Sequence, residues 1–241
     1  MTGKGETVGD SRFDRRLYSA ANVARYVGMH PSTLATWAYG YRRRPAGQLP
    51  VRQGPVITAF EPLKGDSRRI PFVGLVEATV VQAFRCTGLP MQRIRKALEV
   101  LSDQGELEYA LAGKKLYTDG AQVLYDYARN EGDRQLRLLT VVHTGQRVFH
   151  EVIVAYLERI SFDGAWADEL ILPVTDRKLL RARPDVASGD PLFIHGSAPL
   201  SVVRSRFEAG EPVESLAQDY GVPATDIFEA FHAIWPAHQA A

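Results

Sequence analysis

The sequence predicts a helix-rich α+β protein, and three observations carry that reading. Apolar residues recur at helical spacing near both ends of the 241-residue chain. Glycines and prolines cut those stretches into short helices. Between them lie β-favouring runs around an Asp-Gly pair. The expected organisation is a disordered tail over 1–16, a head over 17–105, a small α+β module over 106–173 and a three-helix unit over 174–241.

The head starts from Leu17 to Arg44. Ala20, Val23, Ala24 and Val27 form one face of a short helix that Gly28 ends, because glycine tolerates the left-handed exit. Pro31 suits the first position of a second helix, with Leu34, Trp37 and Ala38 as its inward stripe. Ser32, Thr33, Ala35 and Thr36 are left outside, small enough for such a helix to sit deep in a major groove. Arg42, Arg43 and Arg44 follow at once, where phosphates would lie. Two helices in any α-rich core give the same periodicity, so the charge distribution decides. Residues 1–69 carry twelve lysines and arginines against five acids, a balance of +7 in a chain whose total is +1, which leaves −6 for the rest. A basic end beside an acidic remainder suits a polyanion at one end and a different partner at the other.

After the proline- and glycine-rich stretch at 45–55, Val56–Phe60 and Ile70–Val73 read as two short strands around a basic loop. They would make a wing, with Arg68 and Arg69 at its base or tip. Leu75–Arg85 and Met91–Leu101 are amphipathic helices, the second with Arg93, Arg95 and Lys96 on a solvated face. Asp119-Gly120 signals a hairpin, Leu136–Val142 a third strand, Arg147–Ile160 a helix and Glu169–Pro173 a returning strand. Beyond Val174 comes loop, then helices over Ser201–Glu208, Pro212–Tyr220 and from Pro223 or Thr225 to about Ile234. The last exposes Asp226 and Glu229 and is rich in aromatic residues, a poor DNA reader and a better protein-binding or core element.

Chemistry is not signalled. No apolar run is long enough to span a bilayer. Cys86 is the single cysteine and sits among apolar neighbours, so a buried structural thiol is expected, in keeping with a reducing cytoplasm. The six histidines show no helical pairing for metal, and the phosphate-loop, dinucleotide and nucleophile-elbow motifs are missing. No catalytic residue, metal or cofactor is therefore expected.

Leu17 to Arg44, continuing through LVEATVVQAFRCTGLPMQRIRKALEVL, resembles the winged DNA-binding head of MerR-type regulators. The run SGDPLFIHGSAPLSVVRSRFEAGEPVESLAQDYGVPATDIFEAF resembles a small domain found in many bacterial antitoxins. With LYTDGAQVLYDY between them, the whole is similar to the large VapB-type antitoxins of actinobacteria. That resemblance implies a cytoplasmic antitoxin that binds a VapC-type toxin with a PIN nuclease domain and represses its own operon. One departure is His30, where a MerR-type head often has a Ser or Thr cap; a weaker start to the second helix is expected. The DNA-binding residues are then Ser32, Thr33 and Thr36 on bases, and Arg42, Arg43, Arg44, Arg68 and Arg69 on phosphates. Arg204, Arg206, Phe193 and Trp235 are expected on the toxin, with Phe207, Phe228 and Phe231 in the core of the three-helix unit. Two-fold operators imply a homodimer, with Leu75–Arg85 or Arg147–Ile160 as its face. The alternative is a regulator that senses a small ligand through the central module.

Overall fold

The computed structural model describes residues 9–43, 51–105, 109–143 and 146–236; Arg44 lies outside them, as do the side chains of Arg42 and Arg43. Order begins earlier than the expected tail allows. Asp10 accepts the Arg12 amide and starts α1 (Ser11–Asp14). Phe13 then packs on Tyr109 and Trp166, with ring centroids 4.9 and 5.3 Å away.

The two predicted helices are present. β1 (Tyr18–Ser19) leads into α2 (Ala20–Val27), whose Ser19 cap accepts the Asn22 amide and whose Gly28 exit has φ 72°. α3 (Pro31–Tyr39) follows after a short turn, and its Leu34, Trp37 and Ala38 pack with Val23, Ala24 and Val27 of α2 in one core. A chain entering and leaving two short helices this way is a helix-turn-helix.

The wing is built from other residues than expected. The arginine run itself forms β2 (Tyr41–Arg43), paired antiparallel with β3 (Val51–Gln53). Val56–Phe60 is not a strand: Val56 and Ile57 both donate their backbone N–H groups to the Trp37 carbonyl, so the segment is tied to the end of α3. β4 (Arg68–Ile70) pairs with β1 across some fifty residues. Pro71 then caps α4 (Phe72–Cys86), which ends the expected Ile70–Val73 strand early.

α4 is the axis of the molecule. Phe72, Leu75, Val76, Val80 and Phe84 are fully buried, each side chain contributing about 2 kcal/mol of transfer free energy. A helix buried from Phe72 to Val81 cannot offer the dimer face expected at Leu75–Arg85. Cys86, at its outer end, is exposed rather than buried, its Sγ 3.5 Å from the Tyr156 hydroxyl. α5 (Met91–Gly105) lies alongside, and Arg93 pairs with Asp133.

The middle departs most from expectation. Asp119-Gly120 is no hairpin but the interior of α6 (Lys114–Asn130), with Leu116, Ala121, Leu124 and Ala128 buried. Glycine is wanted there for close approach: a Cβ on Gly120 would lie 2.9 Å from Leu116 Cδ1 and 3.1 Å from Phe149 Cζ. The Leu136–Val142 strand splits into α7 (Arg134–Arg137) and β5 (Thr140–His143). The expected helix over 147–160 becomes β6 (Gln146–Phe149), α8 (Glu151–Leu157) and the start of β7 (Ile160–Asp163), because His150 caps α8 only after β6 has paired with β5.

β8 (Trp166–Ile171), β9 (Leu180–Ala182) and β10 (Leu192–Phe193) complete an antiparallel sheet in the order β10-β9-β8-β7. Its strands come from both sides of residue 173. The three C-terminal helices are present as α9 (Leu200–Glu208), α10 (Val213–Tyr220) and α11 (Ala224–Ile234). Asp226 is not exposed as expected but 2% accessible. It accepts from Arg177 at 2.6 Å and lies 2.9 Å from His195 Nδ1, so α11 is pinned to two loops through one buried carboxylate. The head meets the C-terminal unit where the buried Tyr18 hydroxyl donates to the Gly189 carbonyl at 2.8 Å. No described helix is long and apolar enough to cross a membrane.

Candidate nucleic-acid interface

Ser32 and Thr33 stand exposed on the first turn of α3, with Thr36 half-buried one turn on. In helix-turn-helix proteins the first residues of the second helix meet the base edges. Thr36 spends its hydroxyl proton inside the helix, donating to the Ser32 carbonyl at 3.0 Å. His30, which sequence reasoning counted as a weakened cap, does cap: its Nδ1 accepts the Ser32 amide at 3.3 Å and lies 2.8 Å from Ser32 Oγ. The signal for this was available, since an imidazole nitrogen can accept where a hydroxyl oxygen normally does.

Gly40 turns the chain from α3 directly into the β2–β3 hairpin, with φ 68°. Arg42 and Arg43 are thereby set on the strand that follows α3, opposite Arg52 and Val51. Arg68 is exposed but already paired with Asp66 at 3.0 Å, which leaves a solvent-screened pair of small energetic weight. Arg69 serves differently from expectation. Its guanidinium lies 3.9 Å over the Tyr39 ring and donates to the Phe60 carbonyl, so it braces the end of α3 against the loop that follows. Arg16 makes a similar brace, donating to the Glu61 carbonyl at 2.8 Å while covering Phe60. Sequence reasoning missed Arg16 and also Arg25, which is exposed on α2 and makes no ion pair among the described residues. The helical period already turned Arg25 away from the Val23–Val27 stripe.

At the other end, Phe193 is 1% exposed and belongs to the core, so it is not a contact residue. Its place in β10, paired with Leu180, turns it inward. The expectation for Phe207 and Phe228 reverses as well: they are 41% and 53% exposed. With the half-buried Phe231 and Trp235 they line an open groove between α9 and α11 that Arg204, Glu208 and His232 border. Phe231 lies 5.3 Å from Phe207 and 5.9 Å from Trp235. Arg204 stacks 4.0 Å over Trp235 and pairs with Glu208. Arg206 is held by Glu211 and Asp219; with Tyr220 these hold its guanidinium well above the ordinary range. An Arg206 that reached into another protein would have to leave both carboxylates.

Among the described residues no cluster of histidine, cysteine and acids is arranged to hold a metal ion. The buried carboxyl of the head is Glu77, 5% exposed, whose Oε2 accepts the Thr58 amide at 2.5 Å. Burial pushes it up to about 7, against the pull of Thr58.

Residues 16–98 match the family described as "Putative DNA-binding HTH domain". The chain is 40% identical over 230 residues to the "Putative antitoxin VapB45" of Mycobacterium tuberculosis, covering 92% of this chain and 95% of that protein. It is 24% identical over 232 residues to the uncharacterized protein Rv2308 of the same organism, covering 91% and 90% respectively. The crystal structure of Rv2018 from Mycobacterium tuberculosis superposes with a TM-score of 0.75 at 36% identity, over 91% of this chain and 99% of that one. The exposed polar turn of α3 thus lies inside the matched domain, and the likeness to the relative named "Putative antitoxin VapB45" runs nearly end to end; the chain belongs to that protein's family.

Proposed function

We propose that the protein is the antitoxin of a toxin–antitoxin pair. It binds its own operator as a homodimer through the head and neutralises a PIN-domain ribonuclease through α9 and α11. Ser32, Thr33 and Thr36 face the bases, Arg42, Arg43, Arg44 and Arg68 the phosphates, and Arg69 acts by holding Tyr39 and the end of α3. The toxin surface is the aromatic groove, with Trp235, Phe207 and Phe228 as anchors and Arg204 at its rim.

The observation that carries the toxin half is that groove. Large aromatic side chains left open on a soluble chain mark protein contacts, and aromatic anchors dominate binding energy where they are desolvated. Its relative's antitoxin name supplies the kind of partner. Co-expression of the full-length chain with the nuclease encoded beside it tests this. The two should co-purify, and Phe207→Ser combined with Phe228→Ser should abolish co-purification while lowering the melting temperature only slightly, since the two residues are already 41% and 53% exposed. A nuclease that never co-purifies with the intact chain counts against the toxin half.

A ligand-sensing regulator is the second reading. One cleft favours it, of about 590 Å3, lined by Thr58, Glu77, Arg95 and Asp103. It lies mostly within the head, between the 55–59 segment, α4 and α5, with Tyr109 and Leu111 of the central module at its edge. A melting temperature that rises with one class of metabolite would support that reading.

A further inference from the structure

Glu77 lies on α4, 5% exposed, in the wall of the cleft of about 590 Å3 that the 55–59 segment and α5 complete. Thr58, in the same wall, donates its amide to Oε2 at 2.5 Å. Glu77 makes no ion pair among the described residues; burial and Thr58 are what bear on its carboxyl. A glutamine would accept the same hydrogen bond and put no charge at risk of burial. The carboxyl thus has no structural task that an amide could not fill, and its charge lacks a counterpart.

The rest of the wall says what counterpart fits. From α5, Arg95 gives Nη1 to the Gly54 carbonyl at 3.0 Å, Glu99 lies 3.7 Å from Lys96, and Asp103 is exposed. Three carboxyl side chains therefore line the cleft against one guanidinium, and Val56, Ile57, Leu98 and Leu111 add apolar surface. A roomy, partly apolar cleft with a buried titratable group in its wall is where a small ligand binds. We propose that this cleft binds a small organic cation, an ammonium group on an apolar body, with Glu77 as its counter-ion. Its role as an effector site rests on the ligand-sensing reading above. The position suits that role. Glu77 holds the Thr58 amide, and just before it Val56 and Ile57 donate to the Trp37 carbonyl at 2.7 and 3.3 Å. The wall of the cleft is thus also the strap on the end of α3.

Three probes of one shape test it on the full-length protein: phenethylamine, 2-phenylethanol and phenylacetate, which are cationic, neutral and anionic. At pH 8 and millimolar excess, phenethylamine should raise the melting temperature by about 2 °C and the other two should not. Glu77→Gln keeps the bond from Thr58, so it should fold and lose that rise. Calorimetric titration adds a readout that a structural role would not move. The empty cleft's carboxyl ionises at about 7 and the ammonium needs it ionised. Wild type should therefore bind phenethylamine about tenfold more tightly at pH 8 than at pH 6, and Glu77→Gln should show no such dependence. Stabilisation by phenylacetate in place of phenethylamine, a rise that Glu77→Gln retains, or indifference to all three probes overturns the proposal and leaves the ligand-sensing reading to other ligands. A rise that depends on Glu77 while affinity for promoter DNA stays unchanged supports the cation site and removes the sensing role instead.

Discussion

The carboxyl of Glu77 faces the interior of the head, where Thr58 is the group that donates to it. Its value rises from the ordinary 4.5 to about 7 because burial penalises the charge. The neutral form is the one the fold tolerates. Stability from this group is therefore full below the unfolded carboxyl's value and is lost as pH rises through about 7. The loss between pH 4.5 and 8 is of the order of 3 kcal/mol. Urea unfolding of wild type and Glu77→Gln at pH 5 and pH 8 measures it. The variant should lack the decline and be the more stable protein at pH 8; parallel declines would show that Glu77 ionises without penalty. The residue scale was only partly legible in the sequence. Ser32, Thr33 and the arginine run are named by local spacing alone. That Arg69 would be covered by Tyr39, or Asp226 buried under Arg177 and His195, depends on contacts thirty residues or more away, which no local pattern records.

Elements whose signals are local were read correctly. α2 and α3 carry their stripe, cap and exit between Ser19 and Gly40, and α9, α10 and α11 are bounded by their own prolines and glycines. Elements defined by a distant partner were not. β4 finds its strand partner at Tyr18–Ser19, so the wing was placed on the wrong residues. Asp119-Gly120 has the composition of a turn, and only the Phe149 ring packed against Gly120 shows why a helix needs a glycine at that point. The corner between α3 and the hairpin makes its own prediction. Gly40 has a positive φ, and an added Cβ would press on the Gln53 carbonyl oxygen, which is backbone and cannot swing aside. Gly40→Ala should cost about 3 kcal/mol from strain and overpacking together. It should also weaken DNA binding more than its stability loss explains, because the arginine-bearing strand must shift away from α3. Thermal melts and promoter binding at a temperature where both proteins are folded would check this; unchanged binding would mean that the hairpin position is unimportant.

Across the whole molecule, head and tail share one core, and Tyr18 is the clearest stitch between them. Burial holds its hydroxyl protonated, ready to donate to the Gly189 carbonyl. Tyr18→Phe removes that donor and leaves a buried carbonyl short of one, a cost of about 1–2 kcal/mol. The melting temperature should fall by a few degrees while unfolding stays a single transition. A transition that splits in two would show that this bond alone couples the ends; no shift at all would show that water replaces it. The antiparallel sheet ties the central module to the C-terminal unit, since β8 contributes Leu170 and Ile171 to pairs with Ala182 and Arg181 of β9. This bears on how such genes can descend. A recombination that joined the first 173 residues of one paralogue to the remainder of another would set strands of two lineages against each other across that ladder. The crossover that spares it falls in the turn between Leu157 and Ile160, so the aromatic groove is inherited together with the whole sheet beneath it.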